Sequence, residues 1–308
     1  MPMNKKTVDV IIPTYKPDET IKKLLDRLSV QTYPVQNIFI MNTRTEVDLP
    51  EELNQMDNIR IIQIEPEAFD HGGTRHRGAR LSHADLILFM TQDAMPYNKQ
   101  LVEQLVKAFE DEKVGAAFAR QLPDRDCGVI ERYTRSFNYP ETGRVKSIQD
   151  IEELGVKTFF CSNVCAIYRK DVYDSLGGFE KKTIFNEDMI FAGRILQSGC
   201  KIAYVADAEV IHSHNYSCMQ QFRRNFDLAV SQVEHPEVFE GVKSESEGVR
   251  LVSRTAGYLL KIRKPWLIIN LVIKSGFKYM GYKLGQNYRK LPQWVVLKCT
   301  MNPRYWAF

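Results

Sequence analysis

"FDHGGTRHRGARLSHADLILFMTQDAMP" spans residues 69–96 of the 308-residue chain. It starts with an acid, a His and two glycines, passes through three arginines and closes on one Asp after an apolar run. Residues 85–90 (DLILFM) have the length and apolarity of a buried strand. The Thr91-Gln92-Asp93 that follows, ahead of the turn marked by Pro96, sets a carboxylate at the strand's carboxyl end. Upstream, Gly72 and Gly73 allow a backbone to come close to a ligand. Arg75, Arg77 and Arg80 supply guanidinium groups suited to phosphate oxygens. Residues 81–84 are read as closing a helix begun in this loop. On such a helix Arg75 and Arg77 cannot share a face, so one of them faces the ligand. The loop has neither the GK[ST] of a P-loop nor GxGxxG.

Working outward, the same alternation repeats. Residues 8–13 (VDVIIP), 38–41 and 59–64 read as strands, and 18–29 as a helix burying Ile21, Leu24, Leu25 and Leu28. A helix is expected at 99–111, a strand at 114–120, and a long polar excursion at 123–153. Residues 158–168 read as a strand pair or strand-turn, and 170–176 as a short helix stopped by Gly177-Gly178. A helix at 187–198 and short extended pieces at 202–205 and 209–212 follow. Strands alternating with helices predict an α/β fold with a mostly parallel, Rossmann-like sheet. In such sheets ligands bind beyond the carboxyl ends of the strands. Pro13-Thr14-Tyr15, Asn42-Thr43 and Gln92-Asp93 all stand at such ends.

Two later clusters carry chemistry. Asn186-Glu187-Asp188 opens the helix at 187–198. Two acids in a first turn complement the helix dipole, and equally a carboxylate there can act as a general base. His212-Ser213-His214 follows a strand, and alternation puts both rings on one face. Imidazole nitrogen ligates transition metals, and carboxylate oxygen suits Mg2+ or Mn2+, so Asp93 is either a metal ligand or a turn cap.

Composition is that of a globular protein, 44% hydrophobic and 26% charged. The net charge of +4 is unevenly spread. From Val249 onward there are 12 of the 42 Lys/Arg and no acid, which leaves 30 basic against 38 acidic residues before it. We expect two parts, a catalytic domain at 1–234 and a basic helical extension at 235–308, with an acidic hinge at 235–248. Aliphatic and aromatic residues interleave with Lys and Arg in the extension, which predicts contact with an anionic membrane surface, a packed subdomain, or a homodimer contact. No stretch is apolar enough to span a membrane, and no nucleic-acid-binding signature is present, so nucleic acid is not an expected partner. Six cysteines without CxxC spacing read as free thiols of a cytoplasmic protein, and no signal peptide is recognisable.

Put in order, these residues resemble the inverting glycosyltransferases of family 2, which have the GT-A fold. The likeness covers about residues 6–216, and its carriers are residues 8–34, GGTRHRGA at 72–79, FMTQDAMP at 89–96, residues 177–199 and VIHSHNYS at 210–217. FDHGGTR together with QDA further resembles bacterial rhamnosyltransferases of cell-surface polysaccharide synthesis. The resemblance implies that Pro13, Thr14 and Tyr15 line a nucleotide pocket, with Asn42 standing where the family keeps an acid. It implies that Asp70, His71, Gly72, Gly73 and Arg75 approach the donor's base and diphosphate. Gln92 and Asp93 occupy the place of the family's DxD, with Asp93 as its metal-binding acid. Asp188, beside Glu187, matches the catalytic base, and His212 or His214 matches a late metal- or phosphate-contacting His. The implied cofactor is Mn2+ or Mg2+. The implied donor is a nucleotide sugar, dTDP-L-rhamnose in the first reading and a UDP-hexose or UDP-N-acetylhexosamine in the second. The implied acceptor is a lipid-linked glycan met at the inner face of the cell membrane. A noncatalytic sugar-nucleotide-binding protein is the reading from a different class.

Overall fold

Residues 8–15 alternate side chains between two apolar layers, and this decides where the sheet sits. The computed structural model describes residues 5–47, 49–50, 52–53, 56–242 and 245–306, with side chains from 247 onward in the last segment. Strand β1 (Val8–Tyr15) sends Val8, Val10 and Ile12 into one core and Ile11 into the other. Asp9 lies buried in this run, and its carboxylate accepts bonds from Ser82 Oγ at 2.7 Å and from the Asn37 amide at 3.0 Å. A buried carboxylate survives there because its oxygens are partnered.

Helix α1 (Glu19–Ser29) starts at Asp18, whose side chain accepts from Thr20 N at 2.8 Å, and buries Ile21, Leu24, Leu25 and Leu28. Then come β2 (Asn37–Thr43), β3 (Ile59–Ile64), α2 (His71–Ala79), β4 (Leu86–Met90), the two-residue β5 (Met95–Pro96) and α3 (Leu101–Lys107). They are followed by β6 (Val114–Leu122), α4 (Val129–Asn138), β7 (Arg144–Lys146), α5 (Ile151–Leu154), β8 (Cys165–Arg169) and α6 (Lys170–Ser175). Helix α7 (Glu187–Gln197), β9 (Lys201–Ile211) and α8 (Cys218–Glu234) complete the part that carries the site. Helices α9 (Pro236–Phe239), α10 (Glu245–Lys261), α11 (Leu267–Gln286) and α12 (Gln293–Cys299) follow.

The sheet order is β3-β2-β1-β4-β8-β6-β9-β5, with β7 on β9. Strands β3, β2, β1 and β4 run parallel, as does the β6–β9 ladder, while β8 inserts antiparallel between β4 and β6. The architecture is the expected α/β sandwich with α1 and α3 on one face and α2 and α7 on the other.

Several local expectations change. The glycines at 72 and 73 lie in the first turn of α2, not in an open loop, and α2 ends at Ala79, so 81–84 is not its last turn. The pieces at 202–205 and 209–212 are one strand, β9, which re-registers on β6 between Ala119 and Arg120. Of 158–168 only the end is strand; residues 155–159 form a 3-10 turn. The excursion at 123–153 holds α4, β7 and α5. The stretch at 235–248 is anchored by buried Val238 and Phe239; residues 243 and 244 within it lie outside the described residues.

The basic extension packs on α8. A Cβ on Gly281 would fall 2.1 Å from the Phe222 carbonyl oxygen, and one on Gly285 would fall 2.3 Å from that of Phe226. Only glycine lets the α8 and α11 backbones approach so closely, and the two pairs show that the helices run alongside in the same direction. Buried Asp227 of α8 accepts from Thr300 Oγ1 at 2.6 Å and Met301 N at 2.8 Å, and Glu234 accepts from Tyr288 and Tyr305. This packing crosses the expected boundary at 234. No helix among the described residues is long and apolar enough to cross a membrane, and the six cysteines are free.

Candidate active site

The carboxyl ends of β4 and β9 meet. Asp93 sits in the turn after β4, held by the bonds from Thr91 N to Val164 O and from Ala94 N to Thr91 O, each 3.1 Å. Where β9 ends, His212 N donates to Leu122 O at 2.9 Å, and the alternation past it brings His212 and His214 to one side. Their Nε2 atoms lie 3.6 and 3.5 Å from Asp93 Oδ2, and the three ligand atoms all fall within 4.8 Å of one another.

His212 Nδ1 lies 3.0 Å from Gln121 Oε1, which also accepts a bond from Arg135. An amide oxygen accepts, so Nδ1 carries the proton and Nε2 turns its lone pair toward Asp93. Burial, outweighing the pull of Asp93, lowers His212 to about 3 and lowers His214 as well. Both rings are therefore neutral, the state that ligates metal. Two ligands on an ion at about 2.1 Å stand roughly 3 to 3.5 Å apart for octahedral to tetrahedral angles. The two Asp93–His spacings sit at the upper end of that range, and the O,N,N donor set suits a divalent cation.

The acid pair comes from the other side. Asn186 adopts the left-handed conformation, φ 64°, immediately before α7, and this sharp entry points both acids back at the sheet edge. Asp188 Oδ2 accepts from Asn163 N at 3.1 Å and Oδ1 from Met189 N at 2.8 Å. Burial first, and the neighbouring Glu187 charge second, push Asp188 up to about 7. A carboxylate so raised is a better proton acceptor at neutral pH. Buried Glu187 pairs with Arg75 Nη1 at 3.2 Å and receives the Asn163 amide at 3.4 Å. Burial works to raise Glu187, but Arg75 and then His71 outweigh it and hold the group below its ordinary value.

The expected nucleotide side gathers at the ends of β1 and β2. Thr14 Oγ1 donates to Asn42 Oδ1 at 2.8 Å, and Asn42 Nδ2 donates to Gln63. Gln92 makes a reciprocal amide pair with the Tyr15 backbone, at 2.9 and 3.1 Å, so its side chain ties β1 to the turn bearing Asp93. Tyr15, 55% exposed beside Pro13, offers a ring at this edge. Asp70 caps α2, accepting from Gly73 N at 2.5 Å and Lys182 N at 3.1 Å, and His71 packs edge-on to Phe69.

Gly72, Gly73 and Arg75 make contacts within the protein that their sequence reading did not include. The close approach that Gly72 allows is to the protein: a Cβ there would lie 1.9 Å from Glu180 O, and one on Gly73 would lie 2.6 Å from Asp70 Oδ2. Gly72 thus packs α2 against the 177–186 segment, while Gly73 lies against the helix's own capping carboxylate. Arg75, expected at the diphosphate, is buried against Glu187, with its Nη1 also donating to His71 O at 3.0 Å.

Residues that the sequence did not single out complete the site. Asn163 ties both acids to β8, and Tyr168 OH donates to its Oδ1 at 2.8 Å. Gln121 sets the His212 tautomer. Arg224 of α8 lies over the rings of Phe185 at 4.6 Å and Tyr216 at 5.7 Å. Its one local signal is its position on α8, two turns beyond the Ser217 cap.

Residues 9–177 match the family model described as glycosyl transferase family 2. The chain is 36% identical over 303 residues to the O-antigen chain rhamnosyltransferase RfbN of Salmonella typhimurium, covering 97% of this chain and 96% of that one. It is 37% identical over 302 residues to the O-antigen chain rhamnosyltransferase WbaN of Salmonella anatum, covering 96% and 95%. Among solved structures it is similar to the mannosyltransferase PcManGT of Pyrobaculum calidifontis in complex with GDP-Man and Mn2+. The TM-score is 0.61 at 15% identity, over 98% of this chain and 88% of that one. It is also similar to S. aureus TarS, with TM-score 0.53 at 14% identity over 92% and 91%. At such identities these two likenesses speak to the fold, which is GT-A.

Proposed function

The chain belongs to glycosyl transferase family 2, and from that premise we propose that it moves L-rhamnose from dTDP-L-rhamnose, with inversion, to a hydroxyl of a lipid-linked glycan in cell-surface polysaccharide synthesis. The observation that carries the sugar assignment is the likeness along nearly the whole chain to two proteins named O-antigen chain rhamnosyltransferases.

The chemistry follows from two carboxylate groups at one sheet edge. Asp188 takes the proton from the acceptor hydroxyl as that oxygen attacks the anomeric carbon and the bond to the nucleoside diphosphate breaks. Backbone bonds from Asn163 and Met189 hold its orientation. Glu187, locked to Arg75, keeps a negative charge beside Asp188 and so maintains its basicity. Asp93, His212 and His214 would hold a divalent cation, which supplies charge neutralisation to the departing diphosphate. Two imidazoles in the set favour Mn2+ over Mg2+. Arg224 offers the same edge a guanidinium held by rings. Pro13, Thr14, Tyr15, Asn42, Asp70 and His71 are the residues we read as bordering the nucleotide.

We read residues 1–234 as the catalytic part and 235–308 as an extension that docks on an anionic membrane surface from the cytoplasmic side. Support comes from a face of α11 on which Ile269 and Val272 are 69% and 58% exposed, next to Trp266 at 64%, within a run that has no acid. Basic residues around exposed apolar ones fit a headgroup layer.

A donor panel tests the function. Transfer read by mass spectrometry, with lipid-linked acceptors and Mn2+, is expected from dTDP-L-rhamnose. Turnover only from a UDP-hexose or UDP-N-acetylhexosamine would replace the sugar assignment, and binding of sugar nucleotides with no turnover would make the chain a sensor. Co-sedimentation with vesicles is expected to rise with anionic lipid content.

A further inference from the structure

Between α4, α8 and α11 the chain gathers four cations, Arg135, Arg224, Lys274 and Lys278, around one acid, Glu131. The glycine contacts set the register of α11 on α8, Gly281 against Phe222 and Gly285 against Phe226. One and two turns earlier on the same stripe, Lys278 and Lys274 therefore stand beside the start of α8, where the chain leaves His214. Lys278 is partly buried, and the charges acting on it are Glu131 and three cations, Lys274, Arg224 and Arg135. Glu131 is already committed to Arg135 Nε at 2.9 Å, one turn along α4. Arg224 is propped on Phe185 and Tyr216, with no carboxylate within ion-pair distance among the described residues. Cations brought together in a partly desolvated place repel one another. With Glu131 bound to Arg135, the other three cations have no carboxylate in ion-pair contact among the described residues.

We propose that Lys274, Lys278 and Arg224 form an anion-binding subsite beside the Asp93–His212–His214 cluster that takes the diphosphate ester of the lipid-linked acceptor. The proposal rests on the acceptor reading above. Two diphosphates could supply the chemistry, the donor's and the acceptor's. The donor's is already served by the cation held at Asp93, His212 and His214. Two of the three subsite residues belong to α11, whose outer side carries the exposed Ile269 and Val272. A lipid headgroup arriving over that helix meets Lys274 and Lys278 before it meets the acid pair. Arg224, held over Phe185 three residues before Asp188, joins this subsite to the acid pair.

Calorimetry on the full chain tests this with farnesyl diphosphate as the probe, in EDTA so that the Asp93 cluster holds no metal. Farnesyl diphosphate is expected to bind, inorganic pyrophosphate to compete, and farnesol to do neither. Lys278→Met and Lys274→Gln are each expected to weaken farnesyl diphosphate about tenfold, the loss of one charge-assisted contact, while the affinity for dTDP in Mn2+ holds. Lys274→Gln carries the test if Lys278→Met fails to fold. No binding by the wild type, or unchanged affinity in a folded variant, would overturn the subsite. An equal loss of dTDP affinity would assign the cations to the donor and overturn it as well. Lys278-dependent binding of farnesyl diphosphate by a chain that transfers no sugar would instead refute the transferase reading alone.

Discussion

Arg75→Met separates a positioning role from a phosphate-binding one. The Arg75 and Glu187 side chains are 7% and 11% exposed and 3.2 Å apart. The pair is imperfectly satisfied, since Arg75 Nε is buried without a partner among the described residues. Such a pair adds little net stability, yet removing one member leaves a buried charge, at about 3–5 kcal/mol. The Asn163 amide and the amino end of α7 still attend Glu187 and offset some of this, roughly 0.5–1 kcal/mol for the helix end. A loss of about 3 kcal/mol remains. At roughly 2–4 °C per kcal/mol for a chain of this size, the melting temperature should fall by about 6–12 °C. Arg75→Met combined with Glu187→Gln removes both charges and should recover most of that loss. The assay is a double-mutant cycle by chemical denaturation, with dTDP calorimetry on the same proteins. If Arg75→Met melts within about 2 °C of the wild type and loses dTDP affinity, the guanidinium serves the donor and the reasoning fails.

Asp188→Asn should lower turnover by at least about 100-fold while dTDP binding holds; a variant with near-normal transfer would remove Asp188 as the base. Because Asp188 is raised to about 7 and acts deprotonated, kcat/KM should climb with pH through that value and level off above it; a profile flat from about pH 5 to 8 would refute the assignment. His212→Ala and Asp93→Asn should each weaken Mn2+ at least about tenfold, read by electron paramagnetic resonance on the unliganded chain, and unaltered affinity would dissolve the cluster. Gly281→Val, whose first added carbon would fall 2.1 Å from Phe222 O, should pry α11 from α8 and destabilise the chain by at least about 1–3 kcal/mol; a wild-type denaturation midpoint would contradict the close packing.

The parts of the fold that the sequence made legible are those written in local pattern. The apolar runs that became β1 and β4 and the spacing of Ile21, Leu24, Leu25 and Leu28 are examples, with burial satisfying the pattern in the same place. The His-x-His alternation likewise carried through to Asp93, because one strand end suffices to aim both rings. What depended on a partner far along the chain was not legible. Gly72 reads as ligand-facing until Glu180 O is seen against it, and Arg75 reads as a phosphate clamp until Glu187 is seen. Asn163 and Gln121 have no motif of their own; each matters through bonds to site residues at least 24 positions away. The antiparallel insertion of β8 between β4 and β6 is a topological choice that a five-residue strand does not encode.

The glycine contacts between α8 and α11 have a consequence for acceptor choice. With backbone against backbone there is no side-chain layer to yield, so the 20-residue α11 and the end of α8 nearest His214 shift as one body. If the outer side of α11 rests on lipid, the height of Asp188 above the headgroups is a constant of the protein. The enzyme then acts as a gauge. A glycan whose terminal hydroxyl stands at that height is extended, and one that is a sugar shorter or longer holds its hydroxyl below or above the base. The order in which sugars are added to a growing chain would follow from distance to the membrane, independently of which sugar the pocket recognises.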